Sequence, residues 1–145
     1  ESPTNPLLEL CDIGTTAQIC KDHGVLLAVD NTFMSPYGQN PLALGADVVM
    51  HSATKFIGGH SDLLAGALVT SDSNLAEKLY FIQKSGGAVP SPFDCWLMLR
   101  STKTMELRVQ RQSDNAMEIA SRLERSGIVG SVTNVGDGLF HPSLL

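Results

Sequence analysis

The 145-residue chain is long enough for one packed domain, and its 43% hydrophobic and 17% charged content is ordinary globular composition, which excludes a disordered tail. A formal net charge of -5 and a pI near 5.2 exclude a nucleic-acid surface, because phosphate-backbone binding needs clustered Lys and Arg that this sequence does not have. No apolar run approaches the ~18 residues of a membrane span, and the first residues lack a signal peptide's charged start and apolar stretch, so a cytoplasmic setting is expected, or an organellar stroma or matrix if a transit peptide lies upstream.

In chain order, Ser2-Pro3-Thr4-Asn5-Pro6 is predicted to be a loop, since two prolines within four residues forbid a helix. Residues 9–23 are predicted as a helix, with Leu10, Ile13, Ala17 and Cys20 forming an apolar stripe and Gly24 stopping it. Val25-Leu26-Leu27-Ala28-Val29, with its polar exit Asp30-Asn31-Thr32, has the pattern of a strand buried on both faces of a parallel sheet. A short helix over 41–44, closed by Gly45, leads to a strand over 46–50. A further strand over 65–70 follows the glycine-rich turn after Lys55. The link to it is too short for a helical crossover, so it should run antiparallel.

The next helix covers 74–83, with Asp72 or Ser73 as N-cap and Gly86-Gly87 as its stop. After the proline-punctuated loop Ala88-Val89-Pro90-Ser91-Pro92, residues 93–125 are predicted helical, with room for a kink, and Gly127 closes them. A short strand over 128–132 would open a second domain, and 136–142 is loop-like. Cys11, Cys20 and Cys95 have no Cys-x-x-Cys spacing and leave an odd thiol, so they are expected to be small buried hydrophobes. The chain begins at Glu1 and ends in Leu144-Leu145, which suggests a piece of a longer protein.

The chemistry centres on Lys55, set in Ser52-Ala53-Thr54-Lys55-Phe56-Ile57-Gly58-Gly59 between an apolar strand and a glycine pair. A lysine leaving a buried strand end should project into a covered site, where desolvation favours the neutral, nucleophilic amine. Such a lysine suits a Schiff base with pyridoxal phosphate. Ser52 and Thr54 could then hold the phosphate together with backbone N–H groups of the turn, or simply cap it. Asp30 ends the apolar strand, where a carboxylate needs a partner; a protonated pyridine nitrogen would be one. Thr32 points the same way and could support the ring. His51 and His60 flank the lysine without metal-ligand spacing and are expected to make structural hydrogen bonds; no metal site is expected. His23 and His141 are expected at the surface. No glycine-rich nucleotide-binding fingerprint is present.

Glu1-Ser2-Pro3-Thr4-Asn5-Pro6, Val29-Asp30-Asn31-Thr32-Phe33 and Ser52-Ala53-Thr54-Lys55-Phe56-Ile57-Gly58-Gly59-His60-Ser61-Asp62 together resemble the transsulfuration family of pyridoxal-phosphate enzymes of cysteine and methionine metabolism. Gly87-Ala88-Val89-Pro90-Ser91-Pro92-Phe93-Asp94-Cys95 and Lys103-Thr104 extend the likeness. The resemblance implies an α/β fold of fold-type I, the aminotransferase-like large domain: a mainly parallel sheet with flanking helices, and a long helix leading to a small C-terminal domain. It places the C-terminal part of the cofactor-binding domain at 1–110 and the linking helix with the start of the small domain at 111–145. By position, Lys55 would carry pyridoxal 5'-phosphate, Asp30 would pair with the ring nitrogen, Ser52 and Thr54 would bind phosphate, Thr32 would lie against the ring, and Asn5 near the phenolic oxygen and substrate carboxylate.

The freed Lys55 amine would act as base at Cα and shuttle protons at C4' and Cβ. The substrate would be a small sulfur amino acid or a homoserine ester, and the enzyme a dimer of dimers whose subunits share their active sites. The block at Pro90-Ser91-Pro92-Phe93-Asp94-Cys95 leans towards the cystathionine γ-synthase or γ-lyase type; cystathionine β-lyase, then methionine γ-lyase or homoserine-ester sulfhydrylase, are the alternatives. Arg100-Ser101 replaces the family's usual Arg-Gly. The upstream ring-stacking tyrosine and the downstream carboxylate-binding arginine have no counterpart here, so the segment alone is expected to be inactive. From a different class, it could serve only in subunit assembly.

Overall fold

The computed structural model describes residues 1–133. Its elements are α1 (Ile13–Asp22), β1 (Ala28–Asp30), α2 (Ser35–Gly38), β2 (Val48–Ser52), β3 (Gly66–Val69), α3 (Ser73–Gly86), α4 (Pro92–Thr102) and α5 (Met105–Ser126). β1 and β2 pair in parallel, with Val29 opposite Val49 and Asp30 opposite Met50. β3 runs antiparallel along the other side of β2, with Ser52 opposite Gly66, as the short link after Lys55 predicts.

Side chains alternate across a strand, so Val29, Val49 and His51 share one face while Asp30, Met50 and Ser52 share the other. The first face is the covered one. Ile13 of α1 packs there against Val29 and Ala46, with Leu27 beside them, and full burial of a side chain such as Ile13 or Val29 contributes roughly 1.5–3 kcal/mol. α1 starts at Ile13 rather than residue 9 because the Asp12 carboxylate accepts the Thr15 N–H (2.9 Å) and fixes the N-terminus there. Gly24, at φ +64°, ends it as expected.

Several expectations need correction. The strand predicted from Val25 is only Ala28–Asp30, and it is not buried on both faces: Val25, Leu26 and Ala28 are exposed. The ladder cannot begin earlier, because the Leu27 N–H is taken by the Asp47 carboxylate (2.7 Å) and the Leu27 carbonyl by the Asp47 and Val48 N–H groups. Residues 41–44 form a run of tight turns in place of a helix. The helix in this crossover is instead α2, one turn long, with Pro36 in its first turn. Residues 128–132 form no strand; Ile128 is exposed, and among the described residues no strand lies alongside to take their backbone groups. The segment 136–142 lies outside the described residues. Cys11 is exposed and within 3.2 Å of the Thr16 hydroxyl, and Cys20 and Cys95 are only half-buried, so none of the three is a core residue.

α3 is capped by Asp72, which accepts the Leu75 N–H (2.9 Å), and closed by Gly87 in the left-handed region. The long helical stretch is broken at Lys103 and Thr104 into α4 and α5, and Gly127 closes α5. α5 turns Val109 and Ala120 inward and lies against α2 and α4. Among the described residues, no helix is long and apolar enough to cross a membrane.

Candidate functional site

The parallel pair β1–β2 ends in a small polar patch. Asp30, the last residue of β1, is half-buried, and its Oδ1 accepts the Thr32 N–H (2.9 Å) in a turn typical of Asp at a strand exit. Thr32 is buried, and its Oγ1 accepts the Ser52 N–H (2.8 Å), which ties the exit of β1 to the end of β2. Asp30, Thr32 and Ser52 are thereby gathered at the carboxyl ends of neighbouring parallel strands, where open α/β sheets place their ligands. Among the described residues nothing hydrogen-bonds to Asp30 Oδ2 or to the Ser52 hydroxyl.

Asn31, between Asp30 and Thr32, points to the other side and is almost fully buried. Its Nδ2 donates to the carbonyls of Ser35 (3.1 Å) and Gln39 (2.8 Å), and its Oδ1 accepts from Gln39 Nε2 (2.8 Å). The same Nε2 donates to the Ser2 carbonyl (3.0 Å), so the N-terminal loop is anchored to the strand exit. Asn5 belongs to that loop. It is exposed, and among the described residues only its backbone N–H is bonded, to the Glu1 carboxylate (3.0 Å).

Beyond β2 the chain makes a compact turn rooted on buried Ala53 and Ile57. The Lys55 N–H donates to Ser52 O (3.1 Å), Gly58 N–H to Ala53 O (2.8 Å) and Gly59 N–H to Lys55 O (2.6 Å). Gly58 permits the close approach, since a Cβ there would stand 2.7 Å from Ala53 O. The Lys55 side chain is exposed, which corrects the expected covered site: β2 ends at Ser52, and the lysine stands on the turn beyond it. Thr54 faces the other way. Its Oγ1 accepts the Ala65 N–H (3.1 Å) and donates to the Ala65 carbonyl (3.3 Å), clasping the approach to β3.

One residue near the site escaped the sequence reading. Arg108 of α5 donates from Nη1 to Phe56 O (2.9 Å) and from Nη2 to Ile57 O (3.3 Å), bracing the Lys55 turn from more than fifty residues away. The only local signal was Gly59, at φ +73°, where a Cβ would overlap the Arg108 guanidinium. His51 was expected to make structural hydrogen bonds, yet its Nδ1 is buried with no partner among the described residues. Burial holds its imidazole below the usual histidine range, opposed more weakly by the Asp30 carboxylate and the Asn31 backbone. His60 does bond, through Nδ1, to Gly58 O (2.8 Å), and His23 is exposed as expected.

A carboxylate with a free oxygen, a free hydroxyl at a strand end and a lysine on the following turn are the groups needed to hold a protonated pyridine ring, a phosphate and an aldehyde. Donor set and sheet point to the fold-type I pyridoxal-phosphate enzymes. Residues 1–138 match the family described as Cys/Met metabolism PLP-dependent enzyme. A probable cystathionine γ-synthase of Herpetosiphon aurantiacus is 53% identical over 88% of this chain and 40% of its own length. The cystathionine γ-lyase of Dictyostelium discoideum is 55% identical over 86% of this chain and 32% of its own. The solved yeast cystathionine γ-lyase superposes with a TM-score of 0.83 at 50% identity, covering 88% of this chain and 33% of that one. The chain belongs to the Cys/Met metabolism family of pyridoxal-phosphate-dependent enzymes, and spans between a third and two fifths of these relatives' lengths.

Proposed function

We propose that the whole protein acts on small sulfur amino acids or homoserine esters at the γ-carbon, as an enzyme of the cystathionine γ-synthase or γ-lyase type. The observation that carries this reading is identity above half to relatives bearing both names. Synthase and lyase share the breaking of a bond at that carbon. Pyridoxal 5'-phosphate, when bound, supplies an electron sink for charge developing at the substrate Cα. In this reading the chain's own residues bind, orient and move protons. Asp30 holds the ring nitrogen's proton through its free Oδ2, and Ser52 donates its hydroxyl to phosphate.

Thr32, already fixed by the Ser52 N–H, lies against the ring, and Asn5 offers its unpaired amide to the phenolic oxygen and substrate carboxylate. Thr54 would reach the phosphate only by turning its hydroxyl away from Ala65. Lys55 would anchor the group and, once displaced, take the proton from substrate Cα and shuttle protons at C4' and Cβ, so that loss of the Cβ proton lets the γ substituent leave. Its exposure supports a site completed by other walls, consistent with a dimer of dimers whose subunits share active sites. α5 is the proposed link, with 1–110 belonging to the large domain and 111–145 to the linking helix and the start of the small one, and the enzyme's setting is the cytoplasm, or an organelle if a transit peptide lies upstream.

Borohydride trapping tests this directly. The full reading frame is incubated with pyridoxal phosphate, reduced, and digested for peptide mapping. Selective label on Lys55 is expected, and labelling of Lys55 no greater than of other lysines overturns the reading. The products from cystathionine then discriminate the chemistry: γ-cleavage releases a four-carbon keto acid, β-cleavage pyruvate.

A further inference from the structure

We infer that Arg108 is a positioning residue for Lys55: from α5 its guanidinium caps the carbonyls that follow the lysine, and so fixes the direction in which the lysine leaves the backbone. The inference rests on the reading of Lys55 as the cofactor lysine. A single turn of chain leaves its last carbonyls without backbone partners. Here no described backbone N–H reaches Phe56 O or Ile57 O, and Arg108 takes both, at 2.9 and 3.3 Å.

The guanidinium is itself held in place. Its Nε donates to Thr104 Oγ1 (3.1 Å) and Nη2 also to Ser101 O (3.0 Å), so the Lys55 turn is locked to the junction of α4 and α5. Charge-assisted bonds of this kind are stronger than neutral ones, and the planar fork fixes direction in a way an ammonium cannot. Gly59 is shaped to this contact, because a side chain there would overlap the guanidinium. The upstream side of Lys55 is fixed by β2 through Ser52 O; downstream, the Gly58 and Gly59 N–H groups close the turn and Arg108 holds the carbonyls between. An exposed lysine has no packing of its own to aim it, so the backbone turn sets its reach.

The test uses the full-length protein and its variants R108A, R108K and G59A. Amide exchange at Gly58 and Gly59 is followed without cofactor, the rate of borohydride-trapped label on Lys55 with it, and the melting curve throughout. R108A should speed exchange at both glycines and slow Lys55 labelling by about tenfold or more, since small misplacements of a reacting group are costly. R108K should recover part of the labelling rate. G59A should imitate R108A, and the double variant should be little worse than either, as expected for residues sharing one contact.

Wild-type labelling and exchange in R108A overturn the inference, as does a loss that only tracks general unfolding with R108K no better than R108A. If R108A does not fold, R108K and G59A decide by the same two readouts. Absence of Lys55-selective label in the wild type instead sinks the cofactor reading. The exchange data then still report whether Arg108 orders the turn.

Discussion

His51 is held below the usual histidine range chiefly by burial, so the folded protein keeps it neutral while the unfolded chain protonates it at its ordinary value near 6.5. Between the two values the unfolded state binds more protons, and stability rises with pH through that window. The stabilising contribution is therefore complete above about pH 6.5 and is lost as pH falls through the folded value. Urea midpoints measured at pH 7.5 and 5.5 should show the loss, and His51→Asn should flatten it; an unchanged slope would leave His51 without this role. Asp30 offers a sharper functional test. Asp30→Asn keeps an oxygen to accept the Thr32 N–H but removes the charge, so the apo protein's melting curve should barely move while kcat/KM of the whole enzyme falls by about 100-fold. The strand-end placement of Asp30 and Ser52 was legible in the sequence because a polar residue at the end of an apolar strand is a local signal, whereas the exposure of Lys55 on the turn beyond was hidden. Arg108 was not legible, since its partners are backbone carbonyls more than fifty residues away and nothing in its own helix distinguishes it from its neighbours. The orphaned Nδ1 of His51 was equally hidden, because it depends on what three-dimensional packing fails to bring near.

At the scale of elements, the exit of β1 is held by one side chain. Asn31 joins β1 to α2 and, through Gln39, to the N-terminal loop. Replacing it with Ala removes one hydrogen bond each from the Ser35 carbonyl, the Gln39 carbonyl and the Gln39 side-chain amide, which should cost about 3 kcal/mol by urea denaturation, since each such bond is worth ~0.5–1.5 kcal/mol. The loop bearing Asn5 should loosen with it, seen as faster proteolysis before α1. A cost below a few tenths of a kcal/mol would mean that water replaces the amide readily. The sequence showed the polar triplet after the strand but not this use of its middle residue, because the alternation that sends Asp30 and Thr32 to one side sends Asn31 to the other. Most helices were readable from their caps: Asp72, Gly87 and Gly127 act where the pattern put them. The failures lie where a short apolar or turn-rich run could fold in several ways. Val25 and Leu26 resemble strand, yet Asp47 ends the ladder at Leu27, and the proline that starts a helix is Pro36 and not Pro41.

The whole molecule presents apolar surface that a finished soluble protein rarely leaves open. Tyr80, Phe81 and Ile82 of α3 are each about two-thirds exposed, and Phe93, Trp96 and Leu99 of α4 are nearly as open. No residue of α3 is buried, so the helix is held by its caps and by little packing, although isolated helices shorter than about 12–15 residues are marginal in water. The chain spans between a third and two fifths of its relatives' lengths, and in the whole enzyme these faces are the expected seats for the remaining elements or a neighbouring subunit. The 145-residue chain should therefore bind an apolar dye such as anilinonaphthalene sulfonate strongly, and the full-length protein weakly per chain. Phe81→Ser with Ile82→Ser should remove much of the dye signal from the short chain. In the full-length protein the same pair should lower Tm by several degrees, because each buried side chain of this size is worth about 1.5–3 kcal/mol. The two measurements must move together: if the short chain binds no more dye than the whole protein, or the pair leaves the full-length Tm unchanged, α3 is a solvent-facing helix in the assembled enzyme and its apolar residues serve no packing there.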